Sequence, residues 1–239
     1  MSALLLILLN RPRNVSQTKV ILFDANETLL DLVVLDPHFT RMFGDPAVRT
    51  VWFQQLLQLF LTATIIDEYA PFPVLAESAL VMVAASRGVE LDDQHKAAML
   101  QAMLALPAHP DVRPALKLLR ATSHRLAVLT NSTATSAAAQ MTHAGLDGYF
   151  EAVLSADAVQ RYKPAREAYL YAAHQLAVEP SEIRLIAAHG WDVAGALAAG
   201  CRAAFVGRKG KALNPRGKQP DIIGTGMHDV VSQIIQHDV

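Results

Sequence analysis

The first strongly patterned segment of the chain is a short apolar run, Lys19 to Phe23 (KVILF), that stops abruptly at Asp24. A continuous apolar run of this length, without alternation, predicts a parallel strand buried on both faces. The same form recurs at Arg125 to Leu129, Ala152 to Ser155, Arg184 to Ala188 and Ala203 to Val206. Helical stretches lie between them: Ser132 to Ala144, Pro164 to Leu176 with Pro164 suited to a first turn, and Asp192 to Ala199 stopped by Gly200. Strands alternating with helices predict an α/β fold, a doubly wound parallel sheet. Sites in such sheets form at the carboxyl ends of the strands. Asp24, Thr130 to Ser132 and the residues after Ala188 all fall at such ends.

From about Pro37 to Pro107 the alternation stops. Val48 to Ala63, Val74 to Arg87 and Asp92 to Leu104 have helical character and no buried-strand run, with Asp92 suited to an N-cap and Gly88 to a C-terminal stop. The pattern predicts an all-helical cap over residues 37–107, inserted into a core made of residues 19–36 and 108–239. A cap over strand ends excludes water and strengthens the electrostatics beneath it. Its apolar residues Trp52, Phe53, Leu56 and Phe60 fit helix packing first and a pocket wall second.

Residues 1–18 read as an N-terminal extension. Leu4 to Leu9 is apolar, but it is too short for a membrane span, no basic residue precedes it, and Arg11, Pro12 and Arg13 follow at once. A poorly ordered extension or a start placed too early fits better than a truncated signal peptide. The formal net charge of −1, with 18% charged residues, suggests neither a nucleic-acid partner nor an anionic membrane surface. The single cysteine, Cys201, excludes an internal disulfide and a cysteine-based zinc cluster, and fits a reducing cytoplasm. A homodimer is left open.

Each candidate residue has a plain structural reading beside the chemical one. Asp24 at a strand end suits a nucleophile, a metal ligand or a turn cap, and Thr28 can hold the turn by a side-chain bond to the backbone. Thr130, Asn131 and Ser132 stand where a helix begins and an anion is favoured, although Asn131 or Ser132 equally suits a cap. Lys163 near Asp24 would keep that carboxylate ionised. Asp192, after Trp191 at the start of an Ala/Gly-rich helix, suits an N-cap. His189 can exchange a proton near neutral pH or line a pocket.

Together, FDANETLLD (Phe23 to Asp31), LTNS (Leu129 to Ser132), YKP (Tyr162 to Pro164) and AAHGWDVAGALAAG (Ala187 to Gly200) resemble the motifs of the haloacid dehalogenase (HAD) superfamily. The resemblance covers nearly the whole chain after Lys19. It implies Asp24 as nucleophile, Ser132 as a ligand of the substrate anion, Lys163 as the partner of Asp24 and Asp192 as the second acid of the last motif. Phosphatases of the superfamily carry an acid where Asn26 stands, and another where Ala188 stands. Without them a hard cation lacks a carboxylate ligand and the leaving group lacks a general acid. The pattern therefore resembles the L-2-haloacid dehalogenase branch, which uses no metal or other cofactor.

The implied reaction forms an ester on Asp24 with loss of halide. Water placed by Asp192 and His189 then hydrolyses it. The implied partner is a small halogenated carboxylate, with Asn26, Thr28, Phe53 and Trp191 also around it. Three positions depart from the branch: Asn26 replaces an aromatic residue, Phe53 a halide-binding arginine and His189 an asparagine. Arg41 and Arg49 lie near enough in sequence to be considered for the lost arginine. The competing readings are a metal-dependent phosphatase, marked by magnesium-dependent activity, and a catalytically weak binding protein, marked by ligand binding without halide release.

Overall fold

The computed structural model describes residues 18–238, so the apolar run at Leu4 to Leu9 lies outside the described residues. Six parallel strands form one sheet: β1 (Val20–Phe23), β2 (Arg125–Thr130), β3 (Ala152–Ser155), β4 (Ile183–Ala187), β5 (Arg202–Val206) and β6 (Ile222–Gly224). Their order is β3-β2-β1-β4-β5-β6, which puts β1 between β2 and β4. The chain winds outward in both directions from β1, so a crevice opens at its carboxyl end. Asp24 is the next residue, and its N–H donates to the Ile186 carbonyl at 3.0 Å.

Strand side chains alternate between two cores, as the pleat requires. Ile21, Phe23, Val128 and Ile186 face one core, while Val20, Leu22, Leu129 and Leu185 face the other. Both faces of β1 are therefore buried, which is why its sequence lacks polar alternation.

The helices in chain order are α1 (Asp36–Phe43), α2 (Val48–Ile65), α3 (Phe72–Ser86), α4 (Asp93–Ala102), α5 (Val112–Leu119), α6 (Ala134–His143), α7 (Arg166–Gln175), α8 (Gly190–Ala199) and α9 (Met227–Asp238). The first five lie between β1 and β2 in the chain, α1 to α4 before Pro107 and α5 after it. Asp92 caps α4 by accepting from His95 N, and Gly88 follows α3 with φ +65°. Gly200 ends α8 with φ +95°, a conformation that costs a glycine little.

Several local readings need correction. Pro164 does not open a helix: α7 begins at Arg166 after Ala165. Thr133, not Asn131 or Ser132, caps α6, and His189, not Asp192, precedes α8. The sheet also gains β6, whose three residues are too few to stand out as a strand in sequence.

The way into and out of the helical segment is tied together. Leu30 bridges Ala108 antiparallel, Asp31 N donates to the Pro107 carbonyl at 2.8 Å, and His109 N donates to Leu29 O at 2.9 Å. At the far side, Tyr162 stacks on Phe60 with ring centroids 4.1 Å apart, and its hydroxyl donates to Ala70 O at 2.6 Å. Tyr69 also hydrogen-bonds Asp157. These contacts hold α2 and α3 against the loop that carries Lys163.

Candidate active site

Asp24, Lys163 and Asp192 meet beneath the helical segment. Lys163 Nζ lies 2.9 Å from Asp24 Oδ1, 2.7 Å from Asp192 Oδ2 and 2.8 Å from the Leu129 carbonyl. An ammonium has three protons, so all three are used. Burial disfavours the charge on Lys163, but Asp192 and Asp24 outweigh it and raise its pKa. Burial likewise pushes the Asp24 carboxyl up. Lys163 and His189 overcome this and hold Asp24 well below the usual carboxylate range. Lys163 thus sits where a cation favours the ionised form of Asp24.

The arrangement is fixed from several sides. Asn131 grips the main chain of Lys163, with Oδ1 accepting from Lys163 N at 2.9 Å and Nδ2 donating to Lys163 O at 3.3 Å. Thr28 Oγ1 donates to Asp24 Oδ2 at 2.7 Å and accepts from Ala188 N at 2.9 Å. Tyr169 on α7 donates to Asp192 Oδ1 at 2.5 Å. Gly195 makes this possible, because a Cβ there would sit 2.5 Å from the Tyr169 hydroxyl and 2.6 Å from Pro164 Cβ.

A cavity of about 20 Å³, room for roughly one water, opens beside Asp24. Asn26, Thr130, Asn131, Lys163 and His189 form its polar wall; Phe53, Leu57, Phe60, Phe72 and Trp191 form its apolar wall. Eight of the eleven sequence candidates therefore reach the cavity: Asp24, Asn26, Phe53, Thr130, Asn131, Lys163, His189 and Trp191. Thr28, Ser132 and Asp192 are buried behind it. Ser132 Oγ accepts from Asn26 Nδ2 at 3.2 Å, so Asn26 stands where Ser132 was expected to meet the anion.

Two expected roles change. Asp192 has no exposed surface, and both its oxygens are taken by Lys163 and Tyr169. Burial pushes its carboxyl up, against the opposing pull of Lys163. In this geometry it positions Lys163 and does not face a water in the cavity. His189 points each ring nitrogen at a carboxylate: Nδ1 is 3.1 Å from Asp24 Oδ2 and Nε2 is 2.9 Å from Glu27 Oε2. It has no free nitrogen with which to take a proton from water.

Sequence reasoning missed Glu27 and Lys211. Glu27 adopts φ +62°, and its carboxylate also pairs with Lys211 and, at 3.6 Å, with Arg49. A charged residue in a polar turn looks solvated in sequence, and nothing local marks its partners. Arg49 is further tied to Asp36 at 2.6 Å, while Arg41 is exposed; neither lines the cavity. Phe53 stands instead on the cavity wall, stacked against the His189 ring.

A profile of haloacid dehalogenase-like hydrolases matches residues 18–200. The (S)-2-haloacid dehalogenase 2 of Pseudomonas sp. (strain CBS-3) is 27% identical over 212 residues, covering 88% of this chain and 93% of that protein. The (S)-2-haloacid dehalogenase 4A of Burkholderia cepacia is 30% identical over 200 residues, covering 82% and 86%. The fold superposes with a TM-score of 0.85 on L-2-haloacid dehalogenase from Xanthobacter autotrophicus with chloropropionic acid covalently bound. The identity there is 25%, over 93% of this chain and all of that one. Motifs, strand order and relatives agree, and the chain belongs to the haloacid dehalogenase-like hydrolases.

Proposed function

We propose that this protein hydrolyses the carbon–halogen bond of short 2-haloacids, with Asp24 as nucleophile and without a metal ion. The observation that carries this reading is a buried carboxylate, bonded by Lys163 at 2.9 Å, on the wall of a small cavity whose far side is aromatic. One oxygen of Asp24 bonds to the halogen-bearing carbon as the halide departs with the bonding electron pair. Halide needs no proton, so Asn26 in place of an acid is no handicap. Water then adds to Cγ of the Asp24 ester and the Cγ–O bond to the substrate breaks. One proton of the water leaves on the hydroxyl of the product, and the other passes to solvent as Asp24 returns to its carboxylate. Attack at the substrate carbon inverts it, so an L-haloacid yields a D-hydroxy acid.

Thr130 and Asn131 lie near the start of α6, where backbone N–H groups and the helix dipole favour the substrate carboxylate. The helical segment 37–107 serves as the cap. The cavity has room for roughly one water, so admitting a haloacid requires the side chains or the helical segment around it to move.

Halide release from 2-chloropropionate should persist in excess EDTA, measured with an ion-selective electrode. Loss of activity with EDTA and its return with magnesium would place the protein among the metal-dependent phosphatases instead.

A second copy of the chain is the partner we propose for the outer face of α2 and α3. Leu61, Ile65, Val74, Val81 and Met82 on these two helices are apolar and 46–78% exposed. Sedimentation should give a dimer that Leu61→Glu together with Met82→Glu converts to monomer. A wild-type monomer at tens of micromolar would contradict this.

A further inference from the structure

His189 is held in an unusual way. Its two ring nitrogens lie 3.1 and 2.9 Å from carboxylate oxygens of Asp24 and Glu27. An ionised carboxylate only accepts, so both contacts are hydrogen bonds only when both nitrogens carry a proton. Two ionised carboxylates at its two nitrogens thus favour the imidazolium form of the ring. Phe53 and Trp191 both stack against it, with centroids 5.7 and 5.0 Å away and planes tilted by 22° and 25°. That is a favourable arrangement for a cation.

The groups in direct contact with the ring fit this state. Asp24 faces it from the end of β1, Glu27 from the turn, Phe53 from α2 and Trp191 from α8. Behind Glu27 stand Lys211 and Arg49, which hold that carboxylate ionised; Lys163 sits on the far oxygen of Asp24. Burial lowers the pKa of His189, but the bonds to Asp24 and Glu27 outweigh it and leave the pKa raised. Burial raises the carboxyl of Glu27, and His189 and Lys211 bring it down.

The two oxygens of Asp24 are not equivalent. Oδ2 accepts from both Thr28 Oγ1 and His189 Nδ1, whereas Oδ1 accepts from Lys163 alone. A carboxylate oxygen has two lone pairs, so only Oδ1 has one to spare. We propose that Asp24 attacks through Oδ1, and that Thr28 and a Glu27-fixed His189 form the site that stabilises the charge on Oδ2 while water adds to the ester. Thr28 and His189 are then catalytic residues of the second step, and Glu27 is a positioning residue acting through His189. The inference rests on the aspartyl-ester reading above.

In the ester Oδ2 is the carbonyl oxygen. When the water oxygen bonds to Cγ, the π electron pair moves onto Oδ2, between two donors already in place. The intermediate collapses by breaking Cγ–Oδ1, and Oδ1 leaves as the hydroxyl of the product. The new Asp24 oxygen comes from water. A fixed imidazolium favours this step over the first, because in the first step Asp24 loses negative charge.

The test is a rapid-quench measurement of halide release and of intact-protein mass on wild type, His189→Asn and Glu27→Gln, using 2-chloropropionate. In both variants the first-turnover halide burst should slow by only about threefold while ester hydrolysis slows on the order of 10²-fold. The ester should accumulate on the peptide containing Asp24. In wild type the hydrolysis rate should fall as pH rises through the raised pKa of His189. Glu27→Gln, which removes the carboxylate that raises it, should move that fall to lower pH. Lys211→Met, which leaves Glu27 and His189 in place but removes a cation that competes for Glu27, should move the fall to higher pH and serves if Glu27→Gln fails to fold. Unchanged hydrolysis in the variants, an unmoved pH limb, or equal slowing of both steps without trapped ester would overturn the proposal and leave the nucleophile intact. Absence of any halide burst from wild type would overturn the aspartyl-ester reading itself.

Discussion

Asp24→Asn should release no measurable halide, a loss of about 10⁴-fold or more in turnover, because an amide is nearly isosteric with the carboxylate but is not a nucleophile. The fold should survive. An Asn oxygen can still accept from Lys163 Nζ, now 2.9 Å from Oδ1, and Lys163 keeps its bonds to Asp192 and the Leu129 carbonyl. Circular dichroism and the thermal midpoint would establish that the variant is folded before its activity is read. The companion experiment is one turnover of excess wild-type enzyme in heavy-oxygen water. The product hydroxyl should be unlabelled and the label should appear in the peptide containing Asp24. A labelled product with an unlabelled Asp24 would mean direct attack by water, leaving Asp24 as a general base. A folded Asp24→Asn protein with wild-type rates would eliminate both roles.

Lys163→Ala should damage activity and stability together. The side chain is wholly buried, and its three protons serve Asp24, Asp192 and Leu129 O. Removing it leaves two buried carboxylates without their shared cation, at a cost of about 3–5 kcal/mol in urea unfolding. The remaining pair should share a proton near neutral pH. Asp24 is then neutral much of the time, and turnover should fall by about 10²–10³-fold on the scale of general electrostatic losses. The pH dependence has a definite sign. Without Lys163 the pKa of Asp24 rises, so residual halide release should climb with pH as the nucleophile ionises. Wild type, with Asp24 held far below the usual range, should show no such climb through the acid side of neutrality. Residual activity that is flat with pH would argue that Lys163 does not set the ionisation of Asp24. Arginine should not rescue, because its planar fork cannot place one nitrogen among three converging acceptors.

The strands β1, β2, β4 and β5 were legible because each carries a short, mostly apolar run that is almost wholly buried; β3, at the sheet edge, is only partly buried, and Asp24 was legible because a carboxylate ends β1. Asn26 and Ala188 were legible as absences of acid, which is a statement about residue type alone. What sequence could not carry was which atom faces which. Ser132 and Asp192 sit at the expected strand and helix ends, yet their side chains are spent on Asn26, Lys163 and Tyr169. Glu27, Arg49 and Lys211 come from a turn, a helix and a loop, and only the folded sheet brings them together. Arg184 teaches the same lesson away from the site. It interrupts an apolar strand, and its burial makes sense only once Asp238 and Asp221 are seen to bond it at 2.6 and 2.5 Å.

The paired crossing at Leu30 and Ala108 bears on how such a protein could diversify. The sheet meets the intervening helices as one long loop whose ends already touch. Closing a loop costs only about 0.6 kcal/mol more for each doubling of its length. The sheet is therefore nearly indifferent to how much chain is spliced in at that point, provided the two-stranded neck is kept. Asp24, Lys163 and Asp192 come from one side of the neck and Phe53, Leu57, Phe60 and Phe72 from the other, so a change in the length of the helical segment need not rebuild the carboxylate below it.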